Sequence, residues 1–424
     1  MTARPILFVN PMGGLGGAER ALLDLLASLR QSAPCLRLHL IVFAPGPLEE
    51  EARRLGVAVE LLPIPEALHK LGDSGLVLDR SWRRSFHLLT SLGRGIPTLW
   101  AFIARLGARI EAIRPELVHT NGMKAHLLVA LAKKGTWPLV WHVHDFLSER
   151  PVAKLAAKWL SRRANAAIAI SEAVAEDLRR ILPRLAVATV LNAINIEEFS
   201  EAPGDPTALD ALSGLPPIPA GAVRVGLVAT YARWKGHDVF LQAAVRLRRQ
   251  LSTQALRFYI VGGPIYATHA SQFSAEELRT RIQDLGLAGM AAIIPFQRDL
   301  PWIYRSLDVV VHASTRAEPF GRTIVEAMGC GRAVVVAAAG GARALVEGER
   351  TGLTHRPGDI GGLAECIQRL VESPELRSRL GANARAATVR HYSRDRIAPP
   401  LLALYRRLGV PTDVHALRAP QVIT

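Results

Sequence analysis

The fold is decided by the stretch Pro5-Ile-Leu-Phe-Val-Asn-Pro-Met-Gly-Gly-Leu-Gly-Gly-Ala-Glu-Arg-Ala-Leu-Leu-Asp-Leu-Leu-Ala-Ser-Leu-Arg30 near the start of the chain. Residues 5–9 are an apolar run typical of a buried strand, and residues 10–17 form a glycine-rich turn. In residues 18–30, leucines recur at helical spacing on one face. A strand, a turn and an amphipathic helix in this order are the repeating unit of a parallel α/β sheet.

The same alternation continues along the chain, with one interruption. Strands are predicted at 37–43, 117–119, 139–144 and 166–170, and again at 223–229, 256–261, 291–294, 308–312 and 333–337. Between the two groups, the proline-dense residues 201–222 cannot continue a helix or a central strand. We therefore predict an α/β fold with two parallel-sheet lobes, residues 1–200 and 223–390, joined by a linker at 201–222. Residues 395–408 are helical in pattern, and Pro399-Pro400 predicts a kink in that helix.

The composition excludes several classes of protein. The chain has 424 residues, of which 49% are hydrophobic and 21% charged, so it can form two cores and is unlike a disordered chain. Its three cysteines include no Cys-x-x-Cys pair, which argues against a disulfide framework or a zinc cluster and fits a reducing compartment. No run reaches the ~18–20 apolar residues that span a bilayer, and Met1–Asn10 lack a secretory signal pattern. We expect a soluble or peripheral protein.

The strongest functional signal is Ala313-Ser-Thr-Arg-Ala-Glu-Pro-Phe-Gly-Arg-Thr-Ile-Val-Glu-Ala-Met-Gly-Cys-Gly-Arg332, which lies between two predicted strands. Pro319 biases Glu318 away from helical dihedrals, so Glu318 is expected in a loop, whereas Glu326 lies on a helix predicted from residue 323 to 328. Two carboxylates can thus approach one ligand from different elements. The alternative is that Glu318 is a solvated loop residue and Glu326 an ordinary first-turn carboxylate.

The start of that helix is a candidate phosphate site. The backbone N–H groups near Phe320, Gly321 and Arg322 are expected to lack partners within the helix, and the helix dipole favours an anion there. Thr323 begins the helix. A phosphate flanked by carboxylates that bind hydroxyl groups indicates a sugar nucleotide.

Two cations follow the first strand of the second lobe. In Ala229-Thr-Tyr-Ala-Arg-Trp-Lys-Gly-His-Asp238, Arg233 and Lys235 lie beyond the carboxyl end of a parallel strand, where open α/β sheets bind ligands. Together they could neutralise a diphosphate as it leaves. The alternative is a pair of solvated loop cations.

The glycine-rich turn of the first lobe, which includes Gly16 and Gly17, allows a close backbone approach to an anion or a sugar. Its spacing is not Gly-x-Gly-x-x-Gly, so a dinucleotide fold is not indicated. The alternative is a tight turn without a ligand.

His142 and His144 alternate at the end of a predicted strand, so both imidazoles are expected on the same face. Without a third clustered ligand, a zinc site is not predicted, and we interpret them as hydrogen-bonded structural histidines. The chain has no Asp-x-Asp motif for a divalent cation. We therefore predict no metal ion and no bound cofactor.

Taken together, these residues resemble the family-4 retaining glycosyltransferases, also described as glycosyl transferases group 1. The resemblance extends over nearly the whole chain. It rests on Gly16-Gly17-Ala-Glu19, His144-Asp145, Ile170-Ser-Glu-Ala-Val174, Asn192-Ala-Ile-Asn195, Lys235-Gly236, Gly340-Gly341, Thr351-Gly352 and Pro357-Gly-Asp359, and most specifically on Glu318-Pro-Phe-Gly with Glu326.

The resemblance implies the GT-B fold, in which two Rossmann-like lobes face each other across a cleft. Residues 1–200 would be the acceptor side, completed by a C-terminal helix within residues 391–424, and residues 223–390 would bind the nucleotide sugar. It also implies a hexosyltransferase-type enzyme that moves a sugar, with retention, from a UDP- or GDP-linked donor to a lipid-linked or polysaccharide acceptor of the cell envelope.

The resemblance further implies a role for each candidate residue. Glu318 would hold hydroxyl groups of the transferred sugar, and Glu326 would hold the ribose hydroxyls. His144 would touch the donor sugar, and Lys235 would contact the diphosphate. The backbone amides at Phe320 and Gly321 would contact the phosphate of the nucleotide sugar, with Arg322 and Thr323 beside them. Gly16 and Gly17 would lie near the reacting centre.

Two positions depart from the family pattern. The family often has an arginine five or six residues before the lysine, where this chain has Ala229 and Thr230. We therefore expect Arg233 to supply that charge. Ala344 stands where the family often has a glutamate, which affects part of the donor-recognition pattern.

The net charge of +15 predicts an anionic partner. Arginines alternate with aromatic residues in 79–109, and we interpret Trp82–Arg84 as a contact with an anionic membrane surface, whereas Trp100 and Phe102 are expected in the core. The expected location is the cytoplasm, including the inner face of the plasma membrane. Two alternatives stay open, namely a nucleotide-sugar epimerase of the same fold and a basic nucleic-acid-binding protein, although no nucleic-acid-binding module is recognisable.

Overall fold

The computed structural model describes residues 4–65, 82–216, 218, 221–252, 255–264 and 271–412, with side chains of residues 82–95 excepted. The described residues form two compact units. Unit 1 contains those up to Asn192 and those from Arg394 onward, and unit 2 contains Ala193–Ser393. The chain therefore passes between the units twice.

In the described part of unit 1, a parallel sheet has the strand order β3-β2-β1-β4-β5-β6-β7. Its strands are β1 Ile6–Asn10, β2 Leu38–Val42, β3 Ala58–Leu61, β4 Leu117–Asn121, β5 Leu139–Val143, β6 Ala166–Ala169 and β7 Val187–Thr189. Its helices are α1 Gly17–Ser32, α2 Pro47–Arg54, α3 Trp82–Ile113, α4 Met123–Ala132, α5 Pro151–Leu160 and α6 Glu172–Ile181. Strands β1, β4, β5 and β6 are buried throughout, as parallel strands covered on both faces must be.

The described part of unit 2 contains a second parallel sheet, with the order β10-β9-β8-β11-β12-β13. Its strands are β8 Val223–Val228, β9 Leu256–Gly262, β10 Ala291–Pro295, β11 Val309–His312, β12 Ala333–Ala337 and β13 Leu353–His355. Its helices are α7 Pro206–Ser213, α8 His237–Gln250, α9 Ala275–Asp284, α10 Leu300–Ser306, α11 Arg322–Gly329, α12 Ile360–Glu372 and α13 Pro374–His391. A final helix, α14 Ala398–Arg407, belongs to unit 1.

Each sheet reverses its strand order beside its first strand. In unit 1, β1 lies between β2 and β4, and in unit 2, β8 lies between β9 and β11. At such a reversal, the loops at the carboxyl ends of the two central strands diverge and leave a crevice, which is where open α/β sheets bind ligands. The topology thus identifies one candidate ligand position in each unit.

The proline-dense residues 201–222 are not simply a linker. Part of this segment is α7, and unit 2 begins at Ala193. Asp205 caps α7 by accepting a hydrogen bond from the backbone N–H of Ala208 at 2.8 Å, and Pro206 occupies the first turn, where its missing N–H is not needed. Pro206 therefore begins a helix within a segment where the prolines predict none.

Helix α7 is tied to the sheet of unit 2 by a buried carboxylate. Asp210 accepts hydrogen bonds from the Arg224 guanidinium on β8, at 2.7 and 3.2 Å, and from the Tyr259 hydroxyl on β9. Asp210 is 6% exposed, so this ion pair is largely shielded from water.

The expected kink at Pro399-Pro400 is absent, because both prolines lie in the first turn of α14. The N–H of Ala398 donates to the Ser28 hydroxyl at 3.1 Å, and the Tyr405 hydroxyl lies 2.7 Å from His119 Nδ1. These contacts attach α14 to α1 and β4 of unit 1.

Only one of the two aromatic residues of α3 that were expected in the core is buried. Phe102 is buried against Phe43, with ring centres 5.2 Å apart, but Trp100 is 57% exposed and does not lie in the core. The predicted membrane contact at Trp82–Arg84 lies outside the described side chains. No helix within the described ranges is long and apolar enough to cross a bilayer.

We predict that Asp210→Ala lowers the free energy of unfolding of unit 2 by about 3–5 kcal/mol, because Arg224 is left buried without its partner. Urea unfolding at pH 7 measures the effect. Glu276→Ala, which removes an exposed carboxylate from α9, is the matched control and should change stability by less than about 0.5 kcal/mol. A loss below about 1 kcal/mol in Asp210→Ala would contradict the prediction.

Candidate functional site

In unit 2, three donors converge on one oxygen of Glu318. The Oε2 atom lies 2.7 Å from Lys235 Nζ, 3.1 Å from His312 Nε2 and 3.1 Å from the Ser314 hydroxyl. Glu318 is 8% exposed. No hydrogen bond involves Glu318 Oε1 among the described residues, so this second oxygen is available to accept one from a ligand.

Two glycines permit this convergence. Gly236 follows Lys235 with φ +81°, and a Cβ atom there would lie 1.8 Å from the carbonyl oxygen of Ala313. Gly340 has φ +63° and forms a β-bridge with Glu318. The backbone N–H of Gly341 donates to the Glu318 carbonyl at 2.7 Å. The close approach of these backbones holds the loops after β8, β11 and β12 together.

The Glu318 carboxyl is ionised at neutral pH. Burial by itself raises its pKa, but the Lys235 ammonium and the hydrogen bond from His312 outweigh burial, and the net pKa is lowered. Lys235 also lies over the Trp234 ring, 4.1 Å from its centre. The group is therefore a charged acceptor beside a fixed cation.

Glu326 has a different environment on α11. It is 1% exposed, and both of its oxygens already accept hydrogen bonds, Oε1 from Arg322 Nε at 2.7 Å and Oε2 from the Tyr304 hydroxyl at 2.8 Å. Burial and the Glu326 charge together raise the pKa of Tyr304. Arg322 also donates to the carbonyl of Ala193 at 3.4 Å. Glu326 thus connects α11 to α10, and Arg322 connects α11 to the start of unit 2.

Helix α11 lies where the sequence predicts it and starts one residue earlier. The helix begins at Arg322, and Gly321 precedes it with φ +102°, a left-handed conformation that favours glycine. Phe320 is buried with its ring edge toward Tyr392, and Thr323 is half-buried in the first turn. The first-turn N–H groups therefore begin directly after the loop that carries Glu318.

Arg233 is not brought to the Glu318 group. Its guanidinium pairs with Glu277 on α9 at 2.8 Å and lies 4.2 Å from the centre of the Phe273 ring. Arg233 and Lys235 lie in one short turn but contact different partners. The side-chain contacts therefore do not support the prediction that Arg233 supplies the positive charge of the missing family arginine.

In unit 1, a series of hydrogen-bonded side chains extends across the strand-order reversal. His144 Nε2 lies 2.6 Å from Asn121 Oδ1, Asn121 Nδ2 donates to Asn10 Oδ1 at 2.7 Å, and Asn10 Nδ2 lies 3.4 Å from Glu19 Oε1. Because Asn121 already donates through its amide nitrogen, its oxygen accepts and His144 Nε2 carries the proton. The His144 Nδ1 lone pair is left as a hydrogen-bond acceptor.

Gly16 and Gly17 lie at the start of α1, close to Glu19 at the end of this hydrogen-bonded series. A Cβ atom at Gly16 would be 2.8 Å from Glu19 Oε2, so the absence of a side chain leaves room for that carboxyl. Burial raises the pKa of Glu19. Gly17 is exposed, and no described atom lies within 4 Å of the position that a Cβ atom would take.

His144 also ends a cluster of buried histidine rings. Ring centres are 4.4 Å apart between His142 and His144 and 5.2 Å apart between His119 and His142. Burial lowers the pKa of His144 to about 4 and that of His119 to about 3, and it lowers the pKa of His142 well below the ordinary histidine value. Among the described residues, neither ring nitrogen of His142 has a hydrogen-bond partner, which gives no support to the interpretation of His142 as a hydrogen-bonded residue.

Sequence reasoning missed several residues of both groups: Asn10, Asn121, Tyr304, His312 and Ser314. A signal for three of them existed, because Asn10, Asn121 and His312 are each the last residue of a buried strand that flanks a strand-order reversal. The strand order that makes this position meaningful is not readable from the sequence.

Comparison with known proteins identifies the family. Residues 15–198 match the model of the family described as Glycosyltransferase Family 4, and residues 216–387 match that of Glycosyl transferases group 1. The chain belongs to family 4 of the glycosyltransferases. Both sheets of this glycosyltransferase lie within the matched ranges, except for β1 at the start.

Two relatives and one solved structure extend the comparison. Alpha-D-kanosaminyltransferase of Streptomyces kanamyceticus is 27% identical over 86% of this chain and 90% of the relative. D-inositol 3-phosphate glycosyltransferase of Rhodococcus opacus is 33% identical over 49% of this chain and 45% of the relative, so the chain spans about half the length of that curated relative. Anabaena HepE, solved in complex with UDP-glucose, has a TM-score of 0.74 at 25% identity, over 96% of this chain and 98% of HepE. The two sheets of the glycosyltransferase are those of the GT-B fold.

The histidine cluster of this glycosyltransferase generates a pH prediction. Because the folded pKa of His142 lies below the unfolded value near ~6.5, its contribution to stability is complete above that pH and is lost as the pH falls below it. We predict that, when the pH is lowered from 7 to 5, the free energy of unfolding falls less in His142→Leu than in the wild type, and that the two decreases differ by up to about 2 kcal/mol.

Thermal and urea unfolding of the full chain at both pH values test this expectation. His391→Leu, which removes an exposed histidine, is the control and should keep the wild-type pH dependence. Equal losses in His142→Leu and the wild type would show that the cluster does not resist protonation.

Proposed function

We propose that the chain transfers a sugar, with retention of anomeric configuration and without a metal ion, from a nucleoside diphosphate sugar to a glycan or lipid-linked acceptor. The observation that carries the proposal is the Lys235–Glu318 pair at the strand-order reversal of unit 2, beside the start of α11. The HepE complex with UDP-glucose favours UDP as the first nucleotide to test, with GDP as the second.

The proposed reaction separates charge. As the bond to the leaving diphosphate breaks, the anomeric carbon gains positive charge and the phosphate oxygens gain negative charge. Lys235 and the first-turn N–H groups of α11 are the proposed donors to that negative charge, since both are held in place before the reaction. In the retaining mechanism we propose, the leaving phosphate accepts the acceptor's proton.

The carboxylate of Glu318 is proposed to bind hydroxyl groups of the transferred sugar. Its Oε2 atom is held by three donors, and its Oε1 atom is the oxygen that remains for a hydroxyl. In unit 1, we propose that His144 contacts the transferred sugar as a neutral group, because burial keeps its pKa at about 4 and its Nδ1 atom can accept from a hydroxyl.

Metal independence is part of the proposal. Within the described ranges, no group of three or more His, Cys, Asp or Glu side chains could hold a metal ion. Lys235 and the start of α11 are the groups proposed to perform the neutralisation instead. Transfer activity that survives EDTA and is not increased by added Mg²⁺ or Mn²⁺ is the expected result.

We predict that Glu318→Gln lowers kcat about 10²–10³-fold, a loss of the size found when one preorganised active-site hydrogen bond is removed, and does not weaken binding of the free nucleotide. The reason is that Glu318 is assigned to the sugar and not to the nucleotide. Transfer from UDP- and GDP-sugars, followed by mass spectrometry, and calorimetric titration with UDP and GDP measure the two effects. Glu277→Gln, an exposed ion-paired carboxylate of the same unit, should have wild-type kcat.

Full transfer activity in Glu318→Gln would contradict the proposed role. An epimerised nucleotide sugar without any product joined to an acceptor would instead favour the epimerase alternative. Salt-sensitive DNA binding without sugar transfer would favour a nucleic-acid-binding protein.

We predict that Glu326→Gln weakens nucleotide binding at least tenfold, or about 1.4 kcal/mol, because Glu326 is assigned to the ribose hydroxyls. Tyr304→Phe separates this role from a purely structural one, since it removes an internal donor and keeps the carboxylate. Calorimetry should show nearly unchanged nucleotide affinity in Tyr304→Phe. Equal weakening in both variants would mean that Glu326 acts through packing and not through the nucleotide.

A further inference from the structure

Helix α5 of unit 1 carries large apolar side chains that the protein leaves in water. Val152, Leu155 and Trp159 are 69%, 72% and 77% exposed. Their spacing of three and four residues places them on one face of the helix, and Ala157, buried, lies on another. Scattered apolar residues on a surface are common, but three on one helical stripe indicate an interaction surface.

The segment that contains α5, from the residue before the helix to the turn after it, is strongly basic. Residues 150–163 contain five basic side chains and no acidic one. Of these, Lys158 and Arg162 are exposed, and Lys154 is half-buried. None of these three side chains makes a hydrogen bond or an ion pair within the described parts of the chain. No described residue therefore neutralises their charges.

The cationic region continues beyond the end of α5. Arg163 donates to the backbone carbonyls of Ala130 and Lys133, and Lys133 Nζ in turn donates to the Arg163 carbonyl at 3.0 Å. Burial and the charge of Arg163 lower the pKa of Lys133. Two cations are thus held close together, an arrangement that an anionic partner would stabilise.

We propose that α5, together with the turn 161–163 that follows it, docks on a bilayer that contains anionic phospholipids, with Val152, Leu155 and Trp159 in the interfacial layer and the lysines and arginines on the headgroups. Tryptophan and leucine beside uncompensated cations are the combination that binds helices to such surfaces. A protein partner would suit the apolar face alone and leave the cations unexplained. This surface lies outside the 79–109 segment, and its existence does not depend on the proposed sugar transfer.

Vesicle flotation with the full chain tests the proposal, using vesicles of phosphatidylcholine with ~30% phosphatidylglycerol and vesicles of phosphatidylcholine alone. The wild type should bind the anionic vesicles and dissociate as salt rises, since exposed charges are screened. Leu155→Ser with Trp159→Ser, and separately Lys158→Glu with Arg162→Glu, should each weaken binding at least tenfold. All four side chains are outside the core, so circular dichroism and melting temperature should stay those of the wild type.

A matched control lies on α13, where exposed Val389 is followed by exposed Arg390. Val389→Ser with Arg390→Glu makes the same kind of change in unit 2 and should bind vesicles as the wild type does. The fluorescence of Trp159 gives a second readout: vesicles should shift the emission of the wild type to the blue, and Trp159→Phe should remove most of that shift.

Failure of the wild type to bind anionic vesicles, or wild-type binding in both α5 variants, would overturn the proposal. So would a dimer that dissociates in the apolar variant and does not bind vesicles, because the face would then contact a second copy of the chain. Sugar transfer to a water-soluble acceptor is measured in parallel, and its loss or retention bears on the proposed function separately.

Discussion

The reversal of strand order beside β8 is the constraint on which the chemistry of unit 2 depends. Because β9 and β11 lie on opposite sides of β8, the loops after β8 and β11 start at adjacent strand ends. Lys235 and Glu318, 83 residues apart in sequence, meet there at 2.7 Å. A carboxylate so deeply buried is stable as an anion only because a cation and two further donors contact it.

The two glutamates of the motif illustrate how burial separates similar residues. One oxygen of Glu318 is fully engaged and the other has no described partner, which leaves a charged acceptor in a fixed position. Both oxygens of Glu326 accept from Arg322 and Tyr304. A ligand hydroxyl at Glu326 must therefore use a remaining lone pair or replace an internal donor, whereas one at Glu318 displaces nothing.

The two units share a strand-order reversal and differ in its electrostatics. In unit 2 the reversal carries an ion pair, and in unit 1 it carries the neutral side chains Asn10, Asn121 and His144, with the Glu19 carboxyl hydrogen-bonded to Asn10 at the end of the series. Neutral amides and an imidazole suit hydroxyl groups, while a fixed cation suits phosphate. The same topology can thus offer two kinds of ligand contact, and only the residues at the strand ends decide which.

The sequence by itself determined the parallel α/β class, most strand positions, the loop position of Glu318 and the start of α11 to within one residue. Each depends on residues within one turn or one strand, such as Pro319 acting on Glu318, so a short window is sufficient. The tertiary structure alone decided that Arg233 pairs with Glu277, that Trp100 is exposed, that the units divide at Ala193 and that Asn10 meets Asn121. These outcomes depend on which strands and helices are neighbours, and neighbours in space are set by strand order over the whole chain and not by any local run of residues.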